Sequence, residues 1–159
     1  DCYYLRSMAY SAQGMPGEAQ AAAQAAAGLE DGSGQVSPVM EEAMTALGRA
    51  WLLAEDPAQA QAAFDRVLAS GTITPGLCLQ LGSALLDGGQ AEEASGYFDQ
   101  GLSLAQPGSE EYGELLLGRA AAAEYSGDFA GALERLEQYE RSFGQSPEVD
   151  REIRFLETR

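Results

Sequence analysis

The chain repeats itself. Laid over itself with a shift of 34 residues, its middle matches at the positions that matter most for packing: Leu47, Gly48, Ala50, Ala60, Phe64, Asp65 and Leu68 fall on Leu81, Gly82, Ala84, Ala94, Phe98, Asp99 and Leu102, with Trp51 opposite Leu85. Small and large residues alternate at helical spacing. The spacing is interrupted midway by Glu55-Asp56-Pro57 in one copy and by Asp87-Gly88-Gly89 in the other. Each copy therefore reads as two helices joined by a tight turn. A single helix pair cannot bury its apolar face alone, so such units must stack. Gly48 and Gly82 remove a side chain where two helices approach closely, Ala60 and Ala94 do the same from the second helix, and Phe64 and Phe98 fill the gap toward the neighbouring unit.

Weaker copies flank the central pair. The first runs Ala9-Tyr10, Gly14, Ala19, then Ala23 where the Phe would stand, and Ala26-Ala27; it is set back by seven extra residues in the Gly28 to Pro38 loop. The last runs Ala122-Ala123, Gly127-Asp128-Phe129, Ala132 and Leu136, set forward by four near Pro107 to Ser109. Helix starts are marked at Ser37-Pro38, Asp56-Pro57, Thr74-Pro75 and Ser146-Pro147, each with a capping side chain ahead of a proline. After Ser146, Val149, Ile153 and Leu156 share one helical face with no further Leu-Gly-x-Ala phrase, as expected of a helix that shields the last unit's apolar edge.

The phrases Leu47-Gly48-x-Ala50-Trp51…Ala60-x-x-x-Phe64 and Leu81-Gly82-x-Ala84-Leu85…Ala94-x-x-x-Phe98 resemble the tetratricopeptide repeat family, whose unit is a 34-residue helix–turn–helix. The resemblance implies an all-α fold: a right-handed superhelix, or α-solenoid, of about four helix–turn–helix repeats plus a C-terminal capping helix. The repeats are expected at residues 1–33, 41–74, 75–108 and 113–146 and the cap at 147–159, in a single domain over 1–159.

Composition narrows the chemistry. Nine basic residues, all Arg, face 25 acidic ones, a net charge of −16. Such a surface repels phosphate backbones and anionic lipid heads, which disfavours nucleic-acid and membrane-surface partners. The absence of His removes imidazole acid–base catalysis, and the absence of Lys removes Schiff bases and phosphate-cradling P-loops. The adjacent acids Glu92-Glu93 and Glu110-Glu111 point to different parts of a helix surface and cannot converge as a catalytic pair. No enzyme activity, metal site or cofactor is expected. Cys2 and Cys78 have no metal-type spacing; two buried helix cysteines are a simpler account than a disulfide. No stretch approaches the ~20 apolar residues needed to cross a bilayer, so no direct membrane insertion is expected. No signal peptide is visible, but the chain begins at Asp1, which leaves room for a removed signal or lipid anchor. Location stays open, and a composition rich in Ala, Gly and Arg without Lys or Asn suggests a bacterial source.

In the family that the chain resembles, the first helices of successive repeats line a concave face that takes peptides. The resemblance places Tyr4, Leu5, Met8 and Ser11 there from the first repeat, and Thr45, Arg49, Leu52 and Leu53 from the second. Leu79, Gln80, Ser83 and Leu86 come from the third, and Leu117, Ala121, Glu124 and Tyr125 from the fourth. The carboxylate clamp by which some relatives grip chaperone tails needs Lys and Asn, and this chain has neither. The expectation is a protein-interaction module binding a peptide, an amphipathic helix or a partner domain in an apolar groove. The alternative is a self-assembling scaffold, or a structural segment of a larger, surface-anchored bacterial protein, with the first repeat's apolar edge pairing with another copy.

Overall fold

The computed structural model describes residues 1–29, 39–71 and 73–159. Among them are nine α-helices and no strand: α1 (Cys2–Ala12), α2 (Pro16–Ala27), α3 (Met40–Leu53), α4 (Pro57–Ser70), α5 (Pro75–Asp87), α6 (Ala91–Leu104), α7 (Glu110–Tyr125), α8 (Phe129–Phe143) and α9 (Pro147–Leu156). None is long and apolar enough to cross a membrane. Consecutive helices pair as hairpins, α1 with α2, α3 with α4, α5 with α6 and α7 with α8. The all-α reading of four helix pairs and a terminal helix holds. The described residues form two compact units, Asp1–Thr72 and Ile73–Arg159.

The turn within each hairpin has one conformation, set by one position. Gly14, Gly89 and Gly127 adopt left-handed backbone, with φ of 69°, 79° and 78°. In the second hairpin the same position is Glu55, at φ 61°. Left-handed backbone costs an L-residue ~1–2 kcal/mol, which glycine escapes. Helix starts follow the sequence in part. The backbone N–H of Gln59 donates to Asp56 and that of Leu77 to Thr74, so both marked caps form. The unmarked Ser109 and Asp128 also cap, accepting from the N–H groups of Tyr112 and Gly131. Ser146 precedes α9 but does not cap it; its hydroxyl donates instead to Glu148 Oε2 at 2.9 Å. Aimed at that carboxylate, the serine side chain does not present its oxygen to the helix N–H groups. The expected cap at Ser37-Pro38 lies outside the described residues.

In the first unit α1 packs on α2 and α3, and α2 also meets α3. Phe64 is fully buried, its ring filling the space left by Gly48, where a methyl group would overlap it. Trp51 lies half-buried along the groove between α2, α3 and α4, and its buried indole Nε1 finds no acceptor among the described residues.

In the second unit α7 packs on both α5 and α6. Phe98 is fully buried between two glycines: a Cβ on Gly82 or on Gly118 would lie 2.6 Å from its Cε1. Gly82 belongs to the same hairpin and Gly118 to the next, so this ring joins the two. Gly101 lets α6 close on Leu115 and Cys78 in the same way. Arg119 of α7 clasps Asp99 of α6 with its Nε 3.1 Å from both carboxylate oxygens. The terminal helix α9 lays Val149 and Leu156 against Ala120 and Ala123 of α7 and Ala132 and Leu136 of α8. Its apolar face covers the end of the last hairpin.

Candidate functional site

The first helices of the hairpins carry the residues expected to line a peptide face, and their exposure divides them. Tyr4, Thr45 and Leu52 are buried, a correction to the sequence expectation. The Tyr4 hydroxyl accepts from Arg66 Nη2 of α4 at 3.1 Å, so its side chain belongs to the interior of the first unit. Thr45 Oγ1 donates to the Glu41 carbonyl of its own helix at 2.8 Å, which satisfies the hydroxyl without water or ligand. The apolar stripe of a core-facing helix is wide, and these positions fall inside its margin. Met8 and Ser11 are half-buried, and Leu5, Arg49 and Leu53 are exposed. In the second unit Leu79, Ser83, Leu86, Ala121 and Glu124 are half-buried, and Gln80, Leu117 and Tyr125 are exposed.

Of these, Leu117 stands at a formed pocket. Between α7 and α8 is an open concavity of about 470 Å3 lined by Leu117, Gly113, Tyr139 and Phe143 together with Gly108 and the carboxylates Glu110 and Glu114. Tyr139 and Phe143, one turn apart on α8, stack with ring centroids 4.9 Å apart. Gly113 has no side chain because the rings come too close: a Cβ there would lie 3.0 Å from Phe143 Cζ. Gln138 Nε2 donates to the Tyr112 hydroxyl at 2.6 Å and fixes α8 against α7 beside the pocket. The arrangement can receive one apolar side chain, with two carboxylates placed to meet a cationic neighbour. The sequence reading missed Gly113, Tyr139 and Phe143. The readable signal was a pair of one-turn spacings, Gly113 with Leu117 and Tyr139 with Phe143, on the two helices of one hairpin.

Two acid pairs join α9 to the last hairpin. Glu124 of α7 faces Glu152; burial, then the Glu152 charge and a hydrogen bond with that carboxyl, raise its pKa above the ordinary carboxylate value. Glu140 of α8 is raised chiefly by a hydrogen bond with Asp150, with burial and the charges of Asp150 and Glu137 adding. Two carboxylates only accept, so each bond needs a proton held between them. The cysteines differ from each other. Both are free thiols; Cys78 is buried and burial pushes its thiol up, whereas Cys2 is exposed, contrary to the expectation of two buried ones. The first position of α1 has no neighbouring helix over it among the described residues.

No protein-family model and no curated protein matches the chain. Among solved structures, Pseudomonas aeruginosa pilF is similar at 19% identity over 98% of this chain, with a TM-score of 0.68; the chain spans 66% of the pilF chain, just under two thirds. The MamA RS-1 ArsTM double mutant is similar at 16% identity over 99% of this chain and 82% of its own, with a TM-score of 0.66. Both neighbours contain tetratricopeptide repeats. The chain has the all-α helical-repeat fold of the tetratricopeptide-repeat proteins.

Proposed function

We propose that the chain is a non-catalytic protein-interaction module that holds a peptide or an amphipathic helix of a partner protein, with the α7–α8 pocket as an anchoring subsite. The observation that carries this reading is the open concavity lined by the apolar Leu117, Tyr139 and Phe143 beside the carboxylates Glu110 and Glu114. An exposed apolar concavity rimmed by charge is the usual form of a peptide-anchoring pocket. The fold of the structural neighbours supports an interaction role in general. The net charge of −16 favours a partner segment with basic residues beside its apolar anchor. The remaining first-helix residues, Met8, Arg49, Leu79, Ser83, Leu86, Glu124 and Tyr125, extend the proposed face beyond the pocket, each within its own unit.

The test is a peptide-display selection on the intact chain with Leu117→Asp as the counter-target. Leu117 is 37% exposed, so the variant is expected to fold. Selected peptides should share an aliphatic or aromatic residue next to Arg or Lys, and should bind Leu117→Asp about tenfold more weakly or worse. Peptides that bind both proteins equally would remove the pocket from the reading.

A further inference from the structure

The second unit joins helices of successive elements at two junctions whose polar chemistry is opposite. Where α7 seats on α6, Arg119 clasps Asp99, and Arg135 of α8 brings Nη2 to 4.0 Å from Oδ1 of the same residue. Where α9 seats on the last hairpin, the apolar contact is flanked by carboxylates on both surfaces. Asp150 and Glu152 fall on opposite margins of the helical stripe that Val149, Ile153 and Leu156 form. Glu152 meets Glu124 of α7, and Asp150 meets Glu140 of α8. All four are half-buried, and Glu140 Oε1 is shielded from water without a hydrogen-bond partner among the described residues.

No arginine relieves either pair. Glu137, one turn before Glu140 on α8, adds a further charge of the same sign beside it. Arg119 and Arg135 gather at Asp99. Arg151 donates to the Pro147 carbonyl and faces Glu148, and Arg159 lies over the rings of Phe129 and Phe155. Arg141 and Arg154 are exposed, and among the described residues neither forms an ion pair with the four acids. Glu148 is also exposed and accepts from Ser146, so it titrates outside the contact. Two facing carboxyls share a hydrogen bond only while one of them keeps its proton. Once both ionise, like charges are held together partly out of water. A ten-residue helix held by three aliphatic side chains has little packing to set against that.

We propose that α9 is a pH-gated cap, seated on the α7–α8 hairpin in mildly acidic solution and lifting increasingly often as the pH rises through neutral. Each lifting uncovers Ala120, Ala123, Ala132 and Leu136. Glu124 and Glu140 keep their protons to higher pH with α9 in place than away from it, so acid favours seating and base opposes it. The α6–α7 junction, closed by an arginine and an aspartate, has no such dependence across the same range.

Amide exchange of the intact chain, corrected for intrinsic rates and compared between about pH 5 and about pH 8, tests the gate. The opening constant of α9 should be roughly fivefold or more larger at the upper pH, with a smaller change in α5 and α6. Glu124→Gln combined with Glu140→Gln removes the titrating groups from the hairpin and offers amide donors to Glu152 and Asp150. That variant should lose most of the dependence and be as well protected in α9 at the upper pH as the parent is at the lower. Glu92→Gln combined with Glu93→Gln, an equal change of charge at exposed positions on α6, should keep the dependence. An α9 opening constant equal at both pH values would overturn the proposal. So would a dependence that survives in the Glu124 and Glu140 variant, or one lost equally in the Glu92 and Glu93 variant, which would assign it to net charge.

Discussion

The α1–α2 and α5–α6 hairpins share a turn and a period but are locked by different means. In α5–α6 the lock is a size match: Gly82 yields its side chain to Phe98, and Gly118 of the next hairpin leaves room for the same Cδ1–Cε1–Cζ edge of the ring. In α1–α2 the equivalent pair is Ser7 and Ala23, both buried and neither aromatic. The α3–α4 hairpin repeats the Gly–Phe solution with Gly48 and Phe64, and α7–α8 takes an intermediate one with Ala120 and Leu136. What the repeat conserves within the molecule is the combined bulk of two positions more than the identity of either. The first hairpin has the least bulk at its lock and a buried Ser7 hydroxyl without a partner among the described residues. It should be the looser of the two.

The largest effect that tests this contrast is at Phe98. Phe98→Ala should cost about 3–5 kcal/mol, because neither Gly82 nor Gly118 has a side chain that could move into the space the ring leaves; urea midpoints of the variant and parent measure it. In the first hairpin the reverse change should hurt for the opposite reason. Ala23→Phe should cost about 1–3 kcal/mol, since Ser7 keeps the side chain that Gly82 lacks, and the same titration checks it. A stabilising Ala23→Phe would mean that the first hairpin has room it does not use. At the turns, Glu55→Gly should raise stability by about 1 kcal/mol by relieving left-handed strain, read as a higher melting temperature. Ser7→Ala should gain up to about 1 kcal/mol by removing the orphan hydroxyl, visible as slower amide exchange in α1 and α2.

The smallest effect concerns α9. The folded-state pKa of Glu124 is raised, so its contribution is fully present below the ordinary carboxylate range and is lost as pH rises through the raised value. The α9 amides, corrected for intrinsic exchange, should be better protected in mildly acidic than in neutral buffer. Glu152→Gln should reduce that difference, leaving the larger part at Glu124 that burial causes and the part due to Glu140 and Asp150.

Legibility followed the range of the interaction. The turn glycines, the Asp56 and Thr74 caps and the Gly–Phe pairs are local or one period apart, and the spelling of the chain contains them. The exposure of the first-helix residues is not local. Thr45 and Leu52 share the helix face of Arg49, yet the packing of neighbouring helices over that face determines which of the three meets water. Gly118 shows how a phrase misleads. Leu117-Gly118-x-Ala120 reads like the glycine phrase of the central copies, but it stands two residues out of register, where it admits the ring of the preceding hairpin instead of its own. The α7–α8 pocket draws on both ends of a hairpin, and no single window of sequence holds it.

Trp51 is the only tryptophan in the chain, and it sits in the first unit with its indole nitrogen shielded from water. The molecule therefore contains its own optical label. Emission excited in the indole band follows the first unit alone, whereas far-ultraviolet ellipticity sums over all the helices. Superimposable denaturation curves from the two signals would mean that the units melt as one cooperative body, and separated curves would give each unit its own stability without any dye or cut.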